Sequence, residues 1–395
     1  MDYQVNQATI DYIRQHADDD VRKLALQGNR FPEVDLTYAL EQIAGRQKAR
    51  IKLPSWAVLD GIIYPSHLSM EQCSSEATAR YKASIAGTGN LLVDLTAGFG
   101  VDVAFVSPNF NQAVSVEQKA SLCTISSENF SRLGLKHVKV ICGDGVDYLH
   151  QMDHADLLFI DPARRDEHGG RTYGIADCSP NVLEIIDEMI EKASRVMIKL
   201  SPMLDWRKAV DDIGGHRANV NEVHIVSVNN ECKELLLVVS KEATPVHVFC
   251  VNDTDVFDFE AGNHLPTEFL SVEQSPHYLY EPNASIMKAG AFDLVANRFG
   301  ITQVGKNSHL FVSDTPLSSF PGRCFVIDNI VSMNKREVKQ ALKDVSRANI
   351  SVRNFPMSVA ELRRRLKLKD GGDVYLFATT VERRGHQLFV CRKTE

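Results

Sequence analysis

Five short runs rich in apolar and β-branched residues recur along one stretch of the chain: Leu91–Leu95, Ala113–Val116, Val138–Ile141, Leu157–Ile160 and Arg195–Ile198. Each is of strand length, and longer amphipathic stretches separate them. Strands spaced in this way pair in parallel through right-handed βαβ crossovers, with helices covering both faces. The pattern predicts a doubly wound α/β sheet, whose ligands gather at the carboxyl ends of its strands.

The flanks read differently. Residues 1–75 carry helical patterning over Asp11–Leu26 and Leu36–Arg50, interrupted by Pro32 and Pro54. Two further strand-like runs, Glu222–Val228 and Glu234–Val239, flank Asn229–Asn230 as a tight hairpin would and are expected to close the sheet. After Pro245, VHVFCVNDTDVFDFE reads as two strands and EPNASIMKAGAFDLVANRFG as a turn leading into a helix. From Pro316 onward the order is strand Gly322–Asn329, helix Lys335–Asp344, strand Ile350–Phe355, helix Ser358–Leu366, then strands Val374–Val381 and Gln387–Arg392. With 395 residues, several domains are expected. The expected boundaries are a helical region over 1–75, the sheet domain over 76–242, a small α+β, ferredoxin-like domain over 243–315 and a basic α+β module over 316–395.

The strand ends carry the chemistry. In NLLVDLTAGFGVD the first strand ends at Asp94 and runs through Thr96 into a Gly98-Phe99-Gly100 turn, where missing Cβ atoms let backbone approach a ligand. A dinucleotide fingerprint needs a third glycine at position 103, which is Val. Glu117, at the tip of the second strand, can accept from ribose hydroxyls, and Asp144, between Gly143 and Gly145, can accept from an adenine amino group. Singly, each of these residues also suits a turn or a helix cap; together they mark successive carboxyl ends of one sheet. The fourth strand ends in Asp161-Pro162-Ala163-Arg164-Arg165, a rigid corner whose acceptors can hold an amine. Arg164 could stack on a base or bind a phosphate, or be a solvated loop charge together with Arg165. Lys199, at the end of the fifth strand, is a candidate substrate contact, although a snorkelling lysine is commoner there. Cys73 has no His/Asp arrangement to activate it.

With these residues in place, the chain resembles the class I S-adenosylmethionine-dependent methyltransferases, from Asp94 to about Val239. More narrowly it resembles bacterial members with a C-terminal THUMP-like domain, which also accounts for EQCSSEATARYKA at Glu71–Ala83. The resemblance implies a Rossmann-like fold, S-adenosyl-L-methionine as cofactor, and a turn of Asp94, Thr96, Gly98 and Gly100 around its methionine part. It places Glu117 at the ribose and Asp144 at the adenine. Asp161 and Pro162 match the first two positions of the Asp-Pro-Pro-aromatic motif of amino-nitrogen methyltransferases, whereas Ala163 and Arg164 depart from it.

The net charge of −7 is uneven: residues 315–395 hold 16 Lys and Arg against 8 Asp and Glu, a net +8, which leaves −15 on residues 1–314. A basic THUMP-like module, with RRRLKLK at Arg363–Lys369, would bring RNA to the site through phosphate contacts. No apolar run reaches the roughly 20 residues of a membrane span, the polar start is no signal peptide, and the eight cysteines form no CxxC pair or metal-ligand cluster. These features predict a cytoplasmic, metal-free protein. With the resemblance, the expected activity is N-methylation of a base in structured RNA, the alternatives being a small-molecule or protein methyltransferase, or an RNA-binding protein that keeps the cofactor fold without catalysis.

Overall fold

A computed structural model of the chain describes residues 5–394 apart from 27, 29, 165–173 and 272. The chain divides into two compact units, Met1–Val223 with Lys233–Val246, and His224–Cys232 with His247–Glu395.

The first unit begins with helices α1 (Gln7–Gln15), α2 (Val21–Leu26), α3 (Leu36–Lys52), α4 (Pro54–Ala57), α5 (His67–Gln72) and α6 (Glu76–Ile85). The helical patterning over Asp11–Leu26 belongs to two helices, α1 and α2. The Asp20 side chain accepts from the Arg22 N–H at 2.9 Å, an N-cap arrangement that starts α2 afresh. Strands β1 (Gly89–Asp94), β2 (Phe110–Glu117), β3 (Val138–Cys142) and β4 (Ala155–Ile160) follow, linked by α7 (Val101–Val106), α8 (Ala120–Arg132) and α9 (Gly145–Gln151). A two-residue ladder of β5 (Ala163–Arg164) and β6 (Cys178–Ser179) precedes α10 (Val182–Lys192), β7 (Ala193–Leu200) and α11 (Trp206–Gly214).

The sheet order is β3-β2-β1-β4-β7, all parallel. Strand β9 (Glu231–Ser240) then runs antiparallel to β7, and β8 (Asn219–Val228) lies beyond β9. The hairpin at Asn229–Asn230 has the second strand of the pair inserted next to β7. Both asparagines are left-handed, with φ of 52° and 60°, the backbone a two-residue hairpin demands. Strand order reverses about β1, so the crevice between the carboxyl ends of β1 and β4 is the place where such a fold binds ligands.

The second unit holds the hairpin β10 (His247–Asn252) and β11 (Asp255–Glu260). It also holds β12 (Tyr278–Pro282), α12 (Ala284–Ala289), α13 (Phe292–Phe299), β13 (Thr302–Gln303), β14 (Phe311–Ser313) and β15 (Gly322–Ser332). Helix α14 (Lys335–Ala341), β16 (Asn349–Arg353), α15 (Val359–Leu366), β17 (Val374–Val381) and β18 (Gly385–Lys393) complete it. Seven strands form one sheet in the order β13-β14-β12-β15-β18-β17-β16. One face packs Leu362, Leu376 and Leu388 into a core with α14 and α15, and the other packs Leu279, Phe325, Phe377 and Phe389. The basic run Arg363–Lys369 is helical only to Leu366, because Lys367 adopts φ +58° and ends α15. Among the described residues no helix is long and apolar enough to cross a membrane.

Candidate active site

The turn after β1 is pinned on both sides. The Leu95 N–H donates to the Phe159 carbonyl at 3.0 Å and the Ala97 N–H to the Val116 carbonyl at 2.9 Å. The Gly98 N–H donates to Glu117 Oε2 at 2.9 Å, so the residue expected at a ribose also fixes the glycine turn. Gly98 has φ +56° and open space where a Cβ would stand. Gly100, with φ +82°, begins α7, and a Cβ there would meet the Phe130 ring at 2.6 Å. Gly100→Ala is therefore expected to cost about 2 kcal/mol, from backbone strain plus overpacking, measured as a lowered urea midpoint.

Asp144 caps α9: its Oδ1 accepts from the N–H groups of Val146 and Asp147, and its Oδ2 from Gln118 at 2.5 Å. Glu117 Oε1 accepts from the Lys119 N–H at 2.8 Å. Both carboxylates thus lie at neighbouring strand ends, beside the open backbone at Gly98 and Gly143. That set of acceptors fits an adenosyl ligand: fixed carboxylates for its hydroxyl and amino groups, and unobstructed backbone for close approach.

Asp94 does not face solvent; it is 1% exposed, and its Oδ1 accepts from the Thr96 N–H at 2.9 Å. Burial pushes its carboxyl well above the ordinary 3.8, against the lowering of that hydrogen bond, and the charges of Asp102 and Asp161 push the same way. The folded chain therefore keeps a proton that the unfolded chain releases near 3.8. The resulting stability is full below that pH and falls as pH rises toward the folded value. Asp94→Asn removes the titration, so its stability relative to the parent should climb with pH above 4, by at most about 1.4 kcal/mol per pH unit. Urea unfolding of both proteins at pH 5 and pH 8 checks this.

At the end of β4, the Asp161 N–H donates to Thr96 Oγ1 at 2.6 Å, tying the Asp-Pro corner to the glycine turn; Pro162 is buried. The Lys199 ammonium pairs with Asp161 Oδ2, so Lys199 meets a partner within the site. Burial works against the Lys199 charge, yet Asp161, Asp102 and Glu234 outweigh it and hold the amine above its ordinary range. Arg164 takes part through its backbone in the ladder with Cys178; its side chain and all of Arg165 lie outside the described residues. Burial pushes the Cys73 thiol up to about 11, which leaves it protonated and a poor nucleophile.

Sequence reasoning missed a buried ionic network behind this corner. Lys82, on α6 and 0% exposed, donates to both oxygens of Glu234 on β9 at 2.6 and 2.7 Å and to Ser74 Oγ at 3.2 Å. Its ammonium lies 3.2 Å from Asp102 Oδ1, and Ser74 Oγ donates to Asp102 Oδ2 at 2.8 Å. Burial raises the Asp102 carboxyl, but Lys82 and then Lys199 more than offset it and hold the group below its ordinary range. The available signal was the buried face of α6, on which Lys82 follows Ala79 and Glu76 at intervals of three.

Residues 322–393 match a family model described as THUMP domain-like, and residues 278–321 one described as a ferredoxin-like domain. No curated protein matches the sequence. A crystal structure of a Porphyromonas gingivalis W83 protein that carries a methyltransferase assignment is 33% identical, with a TM-score of 0.87 and coverage of 98% of both chains. An rRNA methylase from Streptococcus thermophilus and M. capricolum TrmK with S-adenosyl-homocysteine are 15% and 14% identical, with TM-scores of 0.32 and 0.33. Each covers 42% of this chain, and 96% and 68% of its own. Likeness at that level bears on neither fold nor function. The full-length likeness at 33% identity does, and by it this chain belongs to the class I S-adenosylmethionine-dependent methyltransferases with a C-terminal THUMP-like domain.

Proposed function

We propose that the protein uses S-adenosyl-L-methionine to methylate an amino nitrogen of a base in structured RNA. The observation that carries this reading is the Asp161-Pro162 corner, tied to the glycine turn through Thr96 and ion-paired to Lys199. The cofactor supplies an electrophilic methyl group on a sulfonium. The chain's task is then to hold and orient the nucleophile, which is a matter of position more than of covalent chemistry.

Asp94 to Gly100 cradle the methionine end in this reading, while Glu117 and Asp144 serve the ribose and adenine. An exocyclic amine shares its lone pair with the ring. The free oxygen of Asp161 and the backbone carbonyls at Pro162 accept its protons and turn the lone pair toward the methyl carbon. Lys199 acts through Asp161 by holding the carboxylate in place. In this reading Arg164 and Arg165 contact the RNA, and residues 316–395, with the net +8 of residues 315–395, bind its backbone.

The test is purified protein with methyl-labelled cofactor and total RNA. Label in a modified base after nuclease digestion supports the reading; label in protein or small molecules, with RNA unlabelled, overturns the RNA substrate while leaving the enzyme class intact. Calorimetric titration with S-adenosylhomocysteine, with Asp94→Ala/Glu117→Ala as control, should show one saturable site that the variant loses.

A further inference from the structure

The second unit contains a buried charge arrangement that joins distant strands of its sheet. Glu281 on β12 is 3% exposed, and two guanidiniums share it. Arg323, its register partner on β15, donates through Nε to Oε2 at 2.8 Å and also through Nη2. Arg353 on β16 donates through Nη2 to Oε1 at 2.8 Å. In the pairing order β16 lies four strands from β12. A flat sheet would hold them roughly 19 Å apart, so the sheet is curled and the ion triad spans its mouth.

One guanidinium would neutralise Glu281; the second is surplus, leaving a net positive charge on arginines whose side chains are 39% and 37% exposed. A guanidinium also carries more donors than half a carboxylate can accept. Three buried polar atoms around the triad have no partner among the described residues: Arg353 Nε, Oγ1 of Thr379, and His309 Nδ1. Thr379 is the register partner of Arg353, and His309 lies close enough for the Arg353 charge to act on it. Unpaired buried groups cost free energy unless something accepts from them, and His309 also holds a left-handed φ of +54°, a strain that ligand clamps tolerate.

We propose that Arg323 and Arg353, braced by Glu281 and flanked by His309 and Thr379, form a phosphate-binding site that receives a phosphate of the RNA substrate. The polymer's identity rests on the proposed function; the phosphate chemistry does not. Glu281 fixes both guanidiniums through Nε and Nη2 of Arg323 and Nη2 of Arg353, and the Nη1 groups, which make no bond to it, are the donors offered to a phosphate. A terminal phosphomonoester and an internal phosphodiester offer the same oxygens.

The experiment uses the full chain and follows the His309 ring by NMR. Burial and then the Arg353 charge hold its titration below the ordinary 6.5. A bound anion favours the protonated imidazole, so saturating inorganic phosphate should move the midpoint upward. A short unstructured RNA is then titrated with and without a 5′-phosphate, against the parent and Arg323→Gln/Arg353→Gln. The double variant should bind about tenfold or more weakly. Preference for the phosphorylated end supports the terminal group, and equal binding that the variant weakens supports the internal one. An unmoved His309 midpoint, with RNA binding unchanged in the variant, overturns the site. The His309 measurement needs no substitution, so a variant that misfolds does not protect the proposal. S-adenosylhomocysteine binding reports separately on the methyltransferase reading: its loss with phosphate binding intact removes that reading and leaves the site.

Discussion

Lys82→Ala is expected to cost about 3–5 kcal/mol of stability, because it strands two carboxylates in the interior. The wild-type ammonium is 0% exposed and is the charge partner of both Glu234 and Asp102. Without it, Asp102 keeps the Ser74 hydroxyl and the Lys199 charge but loses its ion-pair contact, and Glu234, 2% exposed, loses the cation that takes both its oxygens. A buried pair stabilises little relative to apolar residues of similar volume, since desolvation of both ions offsets their attraction. Lys82→Met/Asp102→Asn/Glu234→Leu, which removes all three charges and keeps an acceptor for Ser74, should therefore recover most of the single-variant loss, within about 1–2 kcal/mol of the parent. The two tryptophans, Trp56 and Trp206, are both buried in the first unit, so urea unfolding followed by their fluorescence reports on that unit alone. A single-variant loss under 1 kcal/mol would mean that water reaches Glu234 once Lys82 is gone, and that the network is less enclosed than its geometry indicates.

This network also marks where the sequence stops being legible. Strands β1, β4 and β7 announce themselves because their central residues are buried on both faces and so are written as apolar runs, whereas the edge strand β3 is only half-buried and reads through the break at Lys139. The acidic strand ends are equally visible, since Asp94, Glu117 and Asp144 each close such a run. Lys82 and Glu234 are 152 residues apart, and their pairing depends on β9 inserting beside β7 rather than beyond β8. A hairpin read from sequence has no handle on which of its strands turns inward. The split of Asp11–Leu26 into two helices was obscured for a related reason: apolar periodicity continues across His16–Asp20, and only the Asp20 cap ends one register and begins another. Lys199 shows the third limit. Its position at a strand end was readable, but its partner Asp161 sits at the end of a neighbouring strand, a contact that only sheet register supplies.

Asp161→Asn should lower kcat for RNA methylation by about 10²–10⁴, the range for loss of one proton acceptor in a transition state, while changing S-adenosylhomocysteine affinity less than about threefold. The separation follows from what Asp161 touches. Its N–H bonds Thr96 through the backbone, which asparagine preserves, so the glycine turn stays in place. Its carboxylate gives Oδ2 to Lys199 and leaves one oxygen for a substrate amine. Asparagine keeps a neutral oxygen but has no charge to receive the developing ammonium, and its amide group faces Lys199 as donor against donor. Lys199→Met tests the positioning role: the carboxylate remains but loses its anchor, so kcat should fall by about tenfold and KM for RNA should stay nearly constant. Single-turnover rates with cofactor in excess read both variants free of product release. If Asp161→Asn retains more than a tenth of the parent rate, the side chain is not the acceptor, and the corner can act only through the backbone carbonyls that proline holds rigid.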